Sequence, residues 1–341
     1  MLVGLNNLIV NLIAFFILDK ANRHQFRNKY KKRTKFRKLR DDFIMVKSEL
    51  RDIRKQIDTR FNSYINTFYN FDDVKLNNPD LKMVKNANSI LLFEFKKICD
   101  EHDVEFWIDW GVLLGAYRHH GYVPWDDDID VGITRDNFEK LKKVIKNHDE
   151  FILSYIYLLY NATTHARFYY AEYKDVRALH LDVYIYDFFD AENKNYLKSH
   201  INKNRALLIK QLKAISIYHD LPWNKLIVLE LDDQTALMLN DIFNDFYRCC
   251  NFKSNGNYLS TTTFGVRELY IHDKDSVYPF GELEFEGDIY PTPNNVDDYL
   301  RVRYRNYMLF PNDTGKQNHV SFVSFEDMSA IRQFIEKYKK Q

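Results

Sequence analysis

Apolar residues recur at helical spacing over Leu81, Val84, Ala87, Leu91, Phe95 and Ile98, and the spacing predicts a helix from Leu81 to near His102. The β-branched and aromatic run VEFWIDW, residues 104–110, then predicts a strand. A short helix follows over Gly111–Arg118, opened by a residue without a side chain. Between Tyr122 and Val131 the pattern alternates, with Val123, Trp125, Ile129 and Val131 interleaved with acids, which predicts a half-buried strand ending at Thr134. Asp136-x-x-Glu139 resembles a capping box and starts a helix carrying Phe138, Leu141, Val144 and Ile145. A strand over Ala178–Asp187, with Ala166–Tyr173 as its hairpin partner, completes the readable centre. Strands and helices in this order predict an α+β fold, a mixed sheet flanked by helices.

The N-terminal region has a different pattern. Residues 2–18 are apolar apart from Asn6, Asn7 and Asn11, yet at 17 residues they fall short of the roughly 20 that a membrane span needs. Asn7 and Asn11 would share one helix face, as in a helix lying in a membrane interface. Phe36, Leu39, Phe43, Val46, Leu50, Ile53 and Ile57 then alternate spacings of 3 and 4, the repeat of a coiled coil or of a single amphipathic helix lying on the body. Asn77, Asn78, Pro79 and Asp80 form a turn cluster. The expected organisation is a membrane-associating helix over 1–34, a heptad helix over 35–76 and a catalytic domain over 80–341.

Charge adds an asymmetry. The chain of 341 residues carries a net charge of +1, but residues 1–40 hold eleven Lys and Arg against Asp19 alone, a net of +10, which leaves −9 for the rest. A basic head on an acidic body points to an anionic membrane surface as partner of residues 1–40 and away from nucleic acid. Cys99, Cys249 and Cys250 form no C-x-x-C, so neither a disulfide framework nor a zinc site is indicated, and a reducing cytoplasmic setting fits. The expected location is peripheral, on the cytoplasmic face of a membrane, with self-association through residues 36–60.

With only 10 Gly and 7 Pro, the sequence contains neither G-x-G-x-x-G nor a P-loop. Four glycines nonetheless fall at 111, 115, 121 and 132, around Asp126-Asp127-Asp128-Ile129-Asp130. On a strand, Asp126, Asp128 and Asp130 would project from one face and repel unless a divalent cation lay among them. An EF-hand is excluded, because the loop lacks its Gly and its bidentate Glu. A helix starting at Gly111 would present free N–H groups to an anion.

The segment WIDWGVLLGAYRHHGYVPWDDDID resembles the LicD family, which includes bacterial phosphocholine transferases and is related to fukutin and fukutin-related protein. Residues 277–310 are similar to that family's C-terminal stretch, so the resemblance covers about 85–320. It implies a nucleotidyltransferase core of the DNA polymerase β type. It also implies a third carboxylate, which Asp182 supplies, with Asp187 as a structural turn residue. The implied metal ligands are Asp128, Asp130 and Asp182, holding Mg²⁺ or Mn²⁺, and Asp126 is a further ligand or the base. Gly111, Leu114, Gly115, Arg118 and Trp125 would contact the donor, and Arg167 and Lys174 are either further phosphate contacts or, the favoured reading, a solvated strand face. Two departures stand out: Val112 replaces a usual hydroxyl residue, and Arg305 replaces a usual Gly.

The implied reaction passes phosphocholine from CDP-choline, or another CDP-alcohol, to a hydroxyl of a glycan or lipid-linked glycan acceptor. The alternatives are a true nucleotidyltransferase and an inactive membrane scaffold. Of the rings at Trp107, Trp110, Tyr117, Trp125, Tyr169, Tyr170, Tyr184 and Tyr186, at least half are expected in the core, and the others would cage a quaternary ammonium.

Overall fold

The computed structural model describes residues 37–53, 56–57, 60, 78–158, 163–214, 227–228, 233–261, 269–309 and 323–338. The apolar segment 2–18 lies outside them. No helix among the described residues is long and apolar enough to cross a membrane. The chain divides into two compact units, Met1–Phe68 with Phe310–Thr314, and Tyr69–Leu309 with Gly315–Gln341. In the first, residues 37–53 are helical.

The second unit begins with α1, Pro79–Glu101. Its N-cap, Asn78, accepts from the Asp80 and Leu81 N–H groups, and Pro79 occupies a position where no donor is needed. Strand β1 is Phe106–Ile108 and α2 is Trp110–His119. Then come β2, Ile129–Thr134, and α3, Arg135–Ile145. Strands β3 (Phe151–Leu158), β4 (Thr163–Tyr170) and β5 (Leu181–Phe189) are followed by α4, Lys194–Ala214. Strand β6 is Ile227–Val228, α5 is Asp233–Cys250, and β7 and β8 are Tyr258–Ser260 and Ile271–Asp273. A hairpin of β9, Gly281–Phe285, and β10, Asp288–Thr292, leads into α6, Val296–Tyr304, and the described residues end with α7, Phe325–Tyr338.

One mixed sheet in the order β1-β2-β5-β4-β3-β6 carries the fold, with β7 and β8 added at the far end of β5. Strands β2 and β5 run parallel, and the other pairs are antiparallel. Phe95 meets Phe106 and Phe168 edge-on across the layer between α1 and the sheet. The α+β class and flanked mixed sheet agree with the sequence. Several boundaries do not. Strand β2 starts at Ile129, so Asp126 and Asp128 sit in the loop before it rather than on its face. Helix α2 starts at Trp110, one residue ahead of Gly111. The N-cap of α3 is Thr134, with no side-chain cap bond, in place of a box at Asp136. Asp187 lies within β5, fully buried in a bidentate pair with Arg135 at 2.6 and 2.9 Å, so it is structural but not a turn residue.

A buried polar cluster ties the C-terminal stretch to this sheet. The Asp109 carboxylate caps α2 by accepting from the Trp110 N–H at 2.7 Å. It also accepts from Tyr186 Oη at 2.6 Å, Tyr299 Oη at 3.0 Å and Arg303 Nη1 at 3.0 Å. Tyr299 receives the Trp107 indole N–H and stacks on His272 with centroids 3.9 Å apart. Burial alone would lower the Arg303 pKa, but Tyr186 and Asp109 hold it above its ordinary value.

Removing one partner of such a pair strands a buried charge, at a typical cost of about 3–5 kcal/mol. Asp109→Asn is therefore expected to lose about that much in denaturant unfolding. Asp109→Asn with Arg303→Met should lose less than the two single changes together. Gly132 lies under the Trp107 ring, where a Cβ would come within 2.2 Å of a ring carbon. Gly132→Ala should cost about 1–3 kcal/mol in the same measurement.

Candidate active site

The carboxylates collect where the start of β2 meets α2. Strands β2 and β5 pair Asp130 directly with Asp182, so parallel backbone bonding sets the two acids side by side. Oxygen atoms of Asp126, Asp127 and Asp128 lie within 4.8 Å of one another in the preceding loop. Gly111 makes room for this loop, because a Cβ there would stand 2.2 Å from Asp126 Oδ2. The Asp126 carboxylate thus packs on the first turn of α2. Gly115 serves the chain itself as well: a Cβ would meet the Gly121 carbonyl oxygen at 2.4 Å.

Crowding shows in the electrostatics. Burial, then the charge of Asp128 and a hydrogen bond shared with it, raises the Asp126 pKa well above the usual carboxylate range. Asp130 is raised likewise by burial, Asp128, Asp182 and Asp126. Its Oδ1 is buried without a hydrogen-bond partner. Buried carboxylates of like sign with an unsatisfied oxygen are a donor set suited to a hard divalent cation.

Asp182 behaves differently. Burial would raise its pKa, but Arg167 and His165 outweigh that and hold it well below the usual range. Arg167 Nε lies 2.6 Å from Asp182 Oδ1, and His165 Nε2 lies 3.2 Å from it. Arg167 pairs with Asp182 in the β4–β5 ladder, so it belongs to the site and not to a solvated face. Lys174 is exposed.

The remaining expected contacts are more scattered. Leu114 and Val112 are buried core residues of α2. Arg118 donates to His119 Nε2 at 3.0 Å and to the Tyr307 carbonyl. Burial lowers its pKa to about 10 and, with Arg118 and Lys85 nearby, lowers that of His119 to about 4. Trp125 is exposed, its ring edge-on to His119 with centroids 6.3 Å apart. Of the eight rings singled out in the sequence, Trp107, Tyr169, Tyr170, Tyr184 and Tyr186 are buried. Arg305 holds φ 57° and ψ −102°, a conformation that glycine adopts without strain, which accounts for the glycine usual at this place.

Three anchors of the carboxylate loop escape a search for apolar periodicity. Lys85 is buried and donates to the Val123 and Pro124 carbonyls at 2.9 and 3.1 Å. Burial lowers its pKa to about 8, against the opposing charges of Asp126 and Glu286. Asn88 Nδ2 donates to the Asp127 carbonyl at 2.7 Å. Glu286, at the β9–β10 turn, accepts from the Tyr122 N–H at 3.0 Å. Lys85 and Asn88 follow Leu81 and Val84 by four residues on the apolar face of α1, and polar residues in that position were the available signal.

Comparison with known proteins finds similarity over the same region. The family described as LicD/FKTN/FKRP, nucleotidyltransferase domain, matches residues 103–214, a narrower span than the 85–320 suggested by the motifs. Over 54 residues the chain is 39% identical to lipopolysaccharide cholinephosphotransferase LicD of Haemophilus influenzae, covering 16% of this chain and 20% of that protein. Over 60 residues it is 32% identical to the uncharacterized protein RP689 of Rickettsia prowazekii, covering 18% and 23%. Over 81 residues it is 26% identical to human ribitol 5-phosphate transferase FKRP, covering 24% and 16%. Each match spans less than a quarter of the relative's length. Residues 103–214, which hold the glycines, the acidic loop and the Asp130–Asp182 pair, carry a domain that matches the LicD/FKTN/FKRP family.

Proposed function

We propose that this chain transfers a phosphate-linked alcohol, such as phosphocholine, from a CDP-alcohol to a hydroxyl of a surface glycan or its lipid-linked precursor. The observation that carries the reading is the Asp130 carboxylate, buried with an unbonded Oδ1 beside Asp182, Asp128 and Asp126. Two relatives named above are transferases of phospho-alcohols, cholinephosphate in one and ribitol 5-phosphate in the other.

In this reading Asp128, Asp130 and Asp182 would hold Mg²⁺ or Mn²⁺ within a nucleotidyltransferase-type core. When bound, the ion would supply charge neutralisation for the donor's phosphates. The Gly111 and Val112 N–H groups of α2, beyond the Trp110 N–H that Asp109 takes, would meet the same phosphates. Arg167 keeps Asp182 ionised and fixed in the ladder. Asp126 would accept the proton of the acceptor hydroxyl or complete the ligand set. The reaction takes place at a membrane surface held by residues 1–40, on the cytoplasmic face where CDP-alcohols are available.

Incubating the protein with Mg²⁺, a glycan acceptor and a panel of CDP-alcohols tests the reaction. Release of CMP with the phospho-alcohol on the acceptor is expected. Pyrophosphate release would instead identify a nucleotidyltransferase, and unchanged cell-surface modification by Asp128→Ala with Asp130→Ala would identify a scaffold. Asp130→Asn should lower kcat/KM at least about 10²-fold, the scale of losing one element of transition-state charge stabilisation.

Stability gives an independent readout. Asp126 and Asp130 have folded pKa values above their unfolded ones, so their contribution is complete below the unfolded value, about 4, and is lost as pH rises through the folded values. Asp182, with its depressed value, contributes in the opposite sense: its stabilisation is complete above the unfolded value, about 4, and is lost as pH falls through the folded one. Without added cation, Asp126→Asn should raise the melting temperature at pH 7 and change it little near pH 4. Millimolar Mg²⁺ should raise the melting temperature of the unmodified protein at pH 7.

A further inference from the structure

The helix over residues 37–53 carries a seam with no partner among the described residues. Leu39 is 65% exposed, Phe43 68%, Val46 48%, Leu50 62% and Ile53 52%, and Ile57 continues the series at 61%. Five apolar side chains exposed to half or more along one stripe, and a sixth close to half, are unusual for a solvated helix and mark an interaction surface. The question is what covers it, and charge placement answers.

With Phe43 and Leu50 at a, and Leu39, Val46 and Ile53 at d, the flanking e positions are Arg40 and Lys47 and the flanking g positions are Asp42 and Glu49. Every e residue is basic and every g residue is acidic in the described helix. In a parallel assembly g faces the e position five residues later in the next chain, so Asp42 meets Lys47 of a second copy. The sequence continues the rule with Glu49 and Arg54. In an antiparallel assembly e would face e and g would face g, placing like charges together.

The helix is also a poor match to an anionic lipid surface. Residues 37–53 hold five Lys and Arg and four Asp and Glu, whereas interfacial helices carry mostly basic residues on the polar face. The basic excess lies upstream, where residues 20–36 contain eight Lys and Arg and no acid.

We propose that this helix binds the same helix of other copies of the chain as a parallel coiled coil. Parallel alignment brings the basic N-terminal segments of all copies to one end. Phe at a, and Leu50 at a with Ile53 at d, depart from the β-branched a positions of two-stranded coils, so the strand number is read from the mass of the assembly.

The test uses the full chain in detergent-free buffer at micromolar concentration, by sedimentation and light scattering. An oligomer is expected. Asp42→Lys with Glu49→Lys should dissociate it, as should Lys47→Glu with Arg54→Glu, and mixing the two dissociated proteins should restore association. That restoration shows that both variants are folded. Leu39→Cys in a Cys249→Ser background, which removes the exposed native thiol, should form an intermolecular disulfide on mild oxidation, since parallel strands bring position 39 of neighbouring chains together. Four results would overturn the proposal: a monomer in buffer, association only on anionic vesicles, an oligomer indifferent to both charge variants, or an oligomer with no disulfide at position 39.

Discussion

A carboxylate with no access to water sits at the junction of every part that matters here. Asp109 satisfies the first N–H of α2, two tyrosine hydroxyls and one guanidinium. Burying such a charge is costly unless each oxygen is bonded and an opposite charge is adjacent. The four donors come from α2, β5 and α6, so the condition is met only when these elements are assembled together. This makes the network a specifier of arrangement more than a source of net stability. It fixes the origin of α2, and therefore the place where Asp126 packs against Gly111.

From that origin the acidic loop is held by backbone contacts on several sides. Lys85 and Asn88 grip its carbonyls from α1, and Glu286 grips the Tyr122 N–H from the β9–β10 turn. A run of carboxylates left to itself would spread into solvent to relieve repulsion. Here the backbone is pinned, so the repulsion remains and appears as raised proton affinity at Asp126 and Asp130. The opposite behaviour of Asp182, paired on the adjacent strand with a guanidinium that neutralises it, means that the cluster is not uniform. One side is charge-compensated by the protein and the other retains its mutual repulsion.

Much of this could be read from the chain. The periods of α1, α2 and β5, the glycines around the acidic run and the match of Asp182 to the family motif all located the site. What could not be read has a common physical character. Asp109 and Arg303 are 194 residues apart, and no local pattern announces a contact across that interval. Lys85 and Asn88 looked like interruptions of an apolar face, and Arg167 looked like a strand's solvent side, because periodicity separates polar from apolar and says nothing of polar groups turned inward. The alternation of Asp126, Asp128 and Asp130 suggested a strand, but the close passage of the loop over Gly115 keeps the chain irregular until Ile129.

The bond from Tyr122 to Glu286 has a consequence for how the molecule responds to a ligand. A cation or donor that orders the acidic loop also favours the state in which the β9–β10 turn is docked, and linkage makes that effect reciprocal. The C-terminal hairpin therefore acts as an ordering element for the acidic loop through a carboxylate, Glu286, that bonds backbone. Its protection from hydrogen exchange and the affinity of the acidic loop are two measures of one equilibrium.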